Sequence, residues 1–375
     1  MAKKDKLTIN RQTKICLISL AMFPDRKDGS AKIASSIYKY FKENNYNIRA
    51  ITAKWDIDLK DPNITQINVI KKRLFWFPQF ILGVFSILLK EKFDIIHGNG
   101  ARVSIAFLHR NFITTIHDLG PFEAKFTKIP IVPLLEKINA LRAKRIITPS
   151  NTIKKGLKEH VPKLNSKKIT CVYNPIDKNL KPDLEGGIKL KQKLGIKGST
   201  ILYLGRIAFY KGVEDLIKAY YIAKKDITDL NLVIAGAPTF KMKALYSNWK
   251  KKYTNIKFVG MVPEEEIQSY YSMADIFVTY SNVAEGFGLT PVESIACGTP
   301  VICSDLPAYR EILGDFAILV PPKRPNALAS EIVKFFKDEK IGKNLLKNSQ
   351  NLVNKYSLDL FGKNLLRIYE EFLKF

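Results

Sequence analysis

The chain has 375 residues, enough for two domains of ordinary size, and its 46% hydrophobic content excludes a disordered, purely solvating polypeptide. The net charge is +26, divided as 33 Lys/Arg against 14 Asp/Glu over residues 1–180 (+19) and 28 against 21 over residues 181–375 (+7). An excess of that size suits a polyanionic partner, whether nucleic acid, an anionic membrane surface or a phosphorylated substrate, or reflects a lysine-rich composition alone. Cys16, Cys171, Cys297 and Cys303 match no zinc or Cys-x-x-Cys spacing. Three of them lie in apolar runs, as buried free thiols in a reducing compartment do.

The start of the chain is polar to Lys14, and the apolar run 15–23 then meets Pro24-Asp25-Arg26-Lys27-Asp28-Gly29 rather than a small-residue cleavage site. A first β-strand is expected there, not a signal peptide. Apolar runs at 15–20, 47–53, 95–97, 112–116, 145–148 and 169–172 read as strands. Residues 30–44 read as a helix with Ile33, Ile37, Tyr40 and Phe41 on one face. The most apolar stretch, 74–89, contains Pro78 and Gln79 and falls short of the roughly 20 apolar residues of a membrane span. Its part from Phe80 reads as a core helix, and 74–78 as a surface loop.

A polar, lysine-rich stretch at 177–199, with a short helix at 187–194, reads as a connection. Domains are accordingly expected at 1–177 and 199–357, joined by a linker at 178–198. A final helix, 358–375, carries a stripe of Leu360, Phe361, Leu365, Ile368, Tyr369 and Phe372, and is expected to pack back on the first domain. The second series repeats the alternation. Strands are expected at 200–204, 230–235, 256–259, 276–278, 301–303 and 317–320, with helices at 212–224, 264–273, 291–297 and 326–337. Alternation of this length predicts α/β architecture, two parallel sheets covered by helices, with ligand loops at the strand C-termini.

Two such loops carry chemistry. In the first, Tyr203-Leu204-Gly205 runs into Arg206 and then Lys211-Gly212 before a helix. Arginine forks onto phosphate oxygens and lysine acts as a point charge, so the pair suits a diphosphate; alone, it equally fits two solvated cations. The second is Glu285-Gly286-Phe287-Gly288-Leu289-Thr290-Pro291-Val292-Glu293. Free N–H groups at a helix start suit phosphate, and the flanking carboxylates suit hydroxyls. A capping acid explains Glu285 but not the two glycines around Phe287. Neither a P-loop nor a Gly-x-Gly-x-x-Gly turn is present, so a P-loop NTPase or a nicotinamide enzyme is poorly supported.

With Ala296-Cys297-Gly298-Thr299-Pro300-Val301-Ile302, Ser304-Asp305 and Glu311, these loops resemble the family 4 glycosyltransferases, retaining enzymes of the GT-B fold. Weaker matching blocks in the first half are Asp94-Ile95-Ile96-His97, Thr115-Ile116-His117-Asp118, Thr148-Pro149-Ser150 and Tyr173-Asn174-Pro175-Ile176-Asp177. The resemblance implies two Rossmann-like domains facing a cleft. It implies a nucleotide-diphosphate sugar donor (UDP, GDP or ADP), no cofactor and no metal. Arg206 and Lys211 would neutralise the leaving diphosphate, aided by backbone at Gly286, Phe287, Gly288, Leu289 and Thr290. Glu293 would hold the ribose, Glu285 the transferred sugar, and the loop at Val262 the base. His117 would line the sugar and stabilise the reacting centre, and Gly29 would approach phosphate or acceptor. His97, His109 and His160 read as structural.

Two positions depart from the family pattern. Gly29 stands alone where a glycine pair is usual, and Asn174-Pro175 replaces Asn-Gly, so that turn must differ locally. The expected activity is transfer of a hexose or N-acetylhexosamine, by front-side displacement, to a glycan, glycolipid or polyprenyl-linked acceptor. Lys71-Lys72-Arg73 beside Leu74-Phe75-Trp76-Phe77, with Lys154, Lys155, Lys158, Lys167 and Lys168, suggest a cytoplasmic enzyme peripheral to the inner membrane face. The alternatives are a soluble enzyme making a disaccharide or storage polymer, and a basic nucleic-acid-binding protein. The last lacks any recognition signature, and no nucleic-acid partner is expected.

Overall fold

The computed structural model describes residues 9–72, 75–100, 108–122, 132–283 and 285–374. Lys3, Lys4, Arg73 and Leu74 lie outside them. The chain forms two compact units, residues 1–175 with 356–375, and residues 176–355.

The first unit runs β1 (Ile15–Ser19), α1 (Gly29–Glu43), β2 (Ile48–Lys54), β3 (Ile64–Asn68), α2 (Trp76–Lys90), β4 (Ile95–Asn99), β5 (Ile113–Thr115), α3 (Val132–Arg142), β6 (Arg145–Thr148), α4 (Asn151–His160) and β7 (Ile169–Cys171). Its seven strands are parallel in the order β3-β2-β1-β4-β5-β6-β7. All five residues of β1 are buried, as a strand covered on both faces requires. The strand order reverses between β1 and β4, whose last residues, Ser19 and Asn99, are paired in register. Crevices for ligands open at such reversals.

The second unit begins with α5 (Leu184–Lys193), β8 (Thr200–Leu204), α6 (Val213–Ala223), β9 (Asn231–Ala235), α7 (Lys243–Lys252), β10 (Lys257–Gly260), α8 (Ile267–Ser272) and β11 (Ile276–Thr279). It continues through α9 (Leu289–Ala296), β12 (Val301–Ser304), α10 (Pro307–Leu313), β13 (Ala317–Val320), α11 (Pro325–Lys337), α12 (Glu339–Leu346) and α13 (Ser349–Lys355). Its six parallel strands follow the order β10-β9-β8-β11-β12-β13. The reversal lies between β8 and β11, so the loops after Leu204 and after Thr279 emerge side by side. The two parallel α/β sheets expected from the alternation are therefore present.

The chain then returns to the first unit as α14 (Leu358–Leu373), which packs on α1. Tyr369 stacks on Phe41 with ring centroids 5.1 Å apart, and Gly362 gives Tyr40 room against the helix. Residues 177–199, read as a connection, carry α5, which packs on α8 within the second unit.

Helices α3, α4, α7, α10, α12 and α13 were not anticipated, and three further elements differ from expectation. β3 was not anticipated: it is an edge strand with no fully buried residue, so its apolar pattern is weak. The helix expected at 264–273 divides into a 3₁₀ turn, Glu264–Glu266, and α8. The third difference is α2, expected as a surface loop and then a core helix. The helix starts at Trp76, so Trp76, Phe77 and Pro78 are helical, and only Phe80 and Val84 are buried along it. It lies over the outer strands β2 and β3, where one strip suffices to cover the sheet. Leu82, Phe85 and Leu89 stay exposed (66%, 41% and 70%), a large apolar surface for a helix of this length.

Candidate functional site

In the second unit, β8 ends in a loop whose backbone is sewn to the loop after β11. The Asn282 N–H donates to the Tyr210 carbonyl (2.7 Å), and Gly212, at φ +63°, passes directly under the Tyr280 carbonyl. This seam brings Lys211 to Glu285 across 74 residues of chain, with Nζ 2.7 Å from Oε1. Ser281 Oγ donates to the same carboxylate oxygen. Lys211, whose Nζ also lies 5.4 Å from the centre of the Tyr210 ring, keeps two further N–H donors and Glu285 keeps Oε2, for which no further hydrogen-bond partner exists among the described residues. Arg206 is exposed on the same loop, with one guanidinium nitrogen on the Tyr210 hydroxyl.

Gly288, at φ +85°, precedes α9, and no side chain caps the helix. A side chain at this position would meet the Tyr309 ring at 2.4 Å, so glycine is required by both backbone and space. The first-turn N–H groups of Leu289 and Thr290 thus lie at a positive helix end that no side chain caps among the described residues. Phe287 is buried and anchors the turn. Glu293, in the middle of α9, is buried, and Tyr271 Oη donates to its Oε2 at 3.0 Å. Burial, then the Glu293 charge, pushes the Tyr271 phenol well above its ordinary range, so it remains a donor to the carboxylate. Val262 follows β10 with its side chain buried.

In the first unit, His117 follows β5, and its Nε2 lies 3.0 Å from Asn99 Oδ1. Gly29 opens α1, capped by Asp28, whose carboxylate accepts from the Ala31 N–H (3.1 Å) and the Ser30 hydroxyl (2.6 Å). Asp118 accepts from the Gly120 N–H in a local turn. His97 is enclosed between Tyr369 Oη (2.6 Å) and Thr115 Oγ1 (2.7 Å). His109 and His160 contact the backbone carbonyls of Asn111 and Gly156, both at 2.8 Å. Among the described residues, no cluster of His, Cys, Asp and Glu is placed to hold a metal.

Burial lowers His117 to about 4, against the opposing pull of Asp28, and burial with a smaller effect of His117 lowers His97 to about 3. Both are neutral in the folded protein, while the unfolded chain takes up protons below about 6.5. Stability therefore falls as pH drops through 6.5 towards these values. For His97, which is fully buried, the loss at pH 5.5 is about 1.4 kcal/mol. Urea midpoints at pH 7.5 and 5.5 measure it. The shift is expected to shrink in His97→Asn, and a pH-independent midpoint would refute a neutral, buried His97.

Sequence reasoning missed Asn99, Tyr271, Ser281 and Tyr309. None belongs to a motif; Asn99 and Tyr271 act on side chains 18 and 22 residues away, whereas Ser281 lies only four residues before Glu285.

Two family models match the chain: Glycosyltransferase Family 4 over residues 27–180 and Glycosyl transferases group 1 over residues 188–352. An uncharacterised glycosyltransferase of Methanocaldococcus jannaschii is 24% identical over 95% of this chain and 98% of its own. The O-antigen chain mannosyltransferase RfbU of Salmonella typhimurium is 28% identical over 81% of each chain. The fold is similar to that of Anabaena HepE, solved in complex with UDP and glucose, at a TM-score of 0.78, with 18% identity over 95% of this chain and 98% of that one.

Proposed function

Because this chain belongs to the family 4 glycosyltransferases and has the GT-B type of fold, we propose that it moves a hexose or N-acetylhexosamine from a nucleotide-diphosphate sugar to a glycan or lipid-linked acceptor, with retention of anomeric configuration. The observation that carries this reading is the Lys211–Glu285 pair, held beside an uncapped helix start. In this reading the pair offers a donor for a diphosphate next to an acceptor for a sugar hydroxyl. RfbU acts on an O-antigen chain, as its name states, which favours a glycan acceptor over a storage polymer here.

In this mechanism Arg206, Lys211 and the N–H groups of Leu289 and Thr290 take the charge that develops on the departing diphosphate. Fixed donors aimed at developing charge need no reorganisation during reaction. Positive charge supplied by side chains removes the need for a metal. Glu285 accepts from a hydroxyl of the transferred sugar, Glu293 accepts from the ribose, and the backbone near Val262 meets the base. His117 lines the sugar. Glu285, tied at Oε1 to Lys211 and Ser281, offers Oε2 to a hydroxyl of the sugar, and in this reading no side chain serves as nucleophile. The acceptor hydroxyl therefore enters on the face that the diphosphate leaves, and the departing phosphate takes its proton.

Calorimetric binding and turnover over UDP-, GDP- and ADP-sugars, with NMR of the product anomer, test this. One nucleotide is expected to bind preferentially and the product to retain configuration. An inverted product, or strict dependence on added divalent metal, would overturn it.

We further assign α2 to an anionic bilayer surface at the cytoplasmic membrane face. Leu82, Phe85 and Leu89 are exposed, and Lys72, Lys90 and Lys92 flank them. Among the described residues no helix is long and apolar enough to cross a membrane, so the attachment proposed is interfacial. Flotation with vesicles containing phosphatidylglycerol is expected at low salt and to fall in Leu82→Ser/Phe85→Ser/Leu89→Ser. Equal flotation of that variant would rule out α2 as the contact.

A further inference from the structure

Asn99 closes β4 and is buried, and every polar atom of its side chain is engaged. Nδ2 faces the Ser30 carbonyl at 3.0 Å and Ser19 Oγ at 3.3 Å. The Ser30 carbonyl can only accept. Ser19 spends its own proton on the Ala21 carbonyl at 2.7 Å, so towards Asn99 it also accepts. Turning the amide over would set Oδ1 against both acceptors, which buried oxygens do not tolerate. The amide orientation is thus dictated by the first turn of α1 and the end of β1. Oδ1 is left facing His117 Nε2, 3.0 Å away, and an oxygen there demands an N–H. Gly100, at φ +93°, holds the backbone so that His117 Cδ2 lies against it, 3.4 Å from where a side chain would begin.

We propose that Asn99 is a positioning residue: it locks His117 in the Nε2–H tautomer, so that Nδ1 carries the lone pair and His117 meets the sugar as a hydrogen-bond acceptor. The proposal rests on the glycosyltransferase reading for its consequence, but not for the tautomer itself. It changes the role assigned to His117. A neutral ring with its proton committed to Asn99 orients a hydroxyl; it does not place positive charge at the reacting centre. Among the described residues, the titratable groups that act on it are Asp28 from α1 and His97 from β4, while Asp118 on its own segment accepts from the Gly120 N–H. Asp28 alone does not offset burial, and the ring stays neutral near pH 7.

The tautomer is read directly from the ring nitrogens of the full-length protein carrying ¹⁵N-histidine. The chain has four histidines, and the His117 signals are identified by their loss in His117→Gln. A protonated Nε2 and an unprotonated Nδ1 are expected, unchanged from pH 6 to 8. The Nδ1–H tautomer, or an imidazolium at pH 7, would overturn the proposal in the wild-type protein without any variant.

Asn99→Ala is expected to show averaged tautomers and a kcat lower by about 10- to 100-fold, with the donor KM changed less than about twofold. Asn99→Asp presents a carboxylate to Nε2, and is expected to protonate His117 near neutral pH and to add an acidic limb to the kcat profile. A kcat within twofold of wild type in folded Asn99→Ala would also overturn it. If no nucleotide sugar is turned over at all, the enzymatic reading fails while the nitrogen spectrum still decides the tautomer.

Discussion

Replacing Lys211 with alanine is expected to lower kcat by about a thousandfold, with a smaller change in donor KM. Removing one fixed donor from developing charge typically costs about 10² to 10³ in rate. Here the loss reaches further, because Lys211 Nζ is also the counter-ion of Glu285, whose side chain is only 11% exposed. Without the ammonium, that carboxylate is held by Ser281 alone and faces the donor diphosphate as a like charge. The double variant Lys211→Ala/Glu285→Gln separates the two effects. If Lys211 served only to neutralise Glu285, the second change would restore activity. If it neutralises the leaving diphosphate, the double variant stays as slow as Lys211→Ala, and single-turnover kinetics would show the loss in the chemical step. Recovery to near wild-type kcat would remove Lys211 from catalysis.

Gly212→Ala is expected to destabilise the second unit by about 3–5 kcal/mol, in the range of severe backbone substitutions. Two costs add. A left-handed conformation penalises any Cβ by about 1–2 kcal/mol. The new methyl would also lie 1.8 Å from the Tyr280 carbonyl oxygen, which is backbone and cannot rotate aside. The seam between the loops after β8 and β11 must open, and Lys211 loses its place beside Glu285. A melting temperature lower by roughly 10 °C and abolished nucleotide binding should appear together. Gly195→Ala provides the comparison: its φ is +62°, but nothing lies within 4 Å of the added carbon. It should cost only the conformational term and leave binding intact. Equal losses in the two variants would show that conformation, not the close approach of Tyr280, sets the requirement.

The fold was largely legible because parallel α/β units advertise themselves locally. Strands buried on both faces, such as β1 and β8, are continuous apolar runs, and the helices between them carry one apolar face. Legibility failed where burial is one-sided. β3 is a half-covered edge strand, and α2 is apolar almost all round yet buries only Phe80 and Val84. Hydrophobicity alone could not separate a core helix from one whose apolar side is left to another surface.

The site divides along the same line. Arg206, Lys211, Glu285 and Glu293 stand out in the sequence because they sit among glycines that a tight backbone demands. Gly212 and Gly288 confirm that demand with positive φ and near contact to Tyr280 and Tyr309. The residues that hold these groups carry no such mark. Tyr271, 22 residues before Glu293, looks like any aromatic on a short helix.

By itself, then, the sequence determined the two parallel α/β series, the strand-end loops and their charged residues, and the family those loops belong to. These depend on neighbours in the chain: periodicity, turn glycines and the order of elements. Tertiary structure alone decided which Glu285 oxygen is spent on Lys211, that α2 leaves its apolar side uncovered, and that Asn99 Oδ1 meets His117 Nε2. Each depends on strand order bringing together groups far apart in sequence, 74 residues for Lys211 and Glu285 and 69 for Ser30 and Asn99. No local pattern encodes such distances, because only the closed sheet makes these groups neighbours.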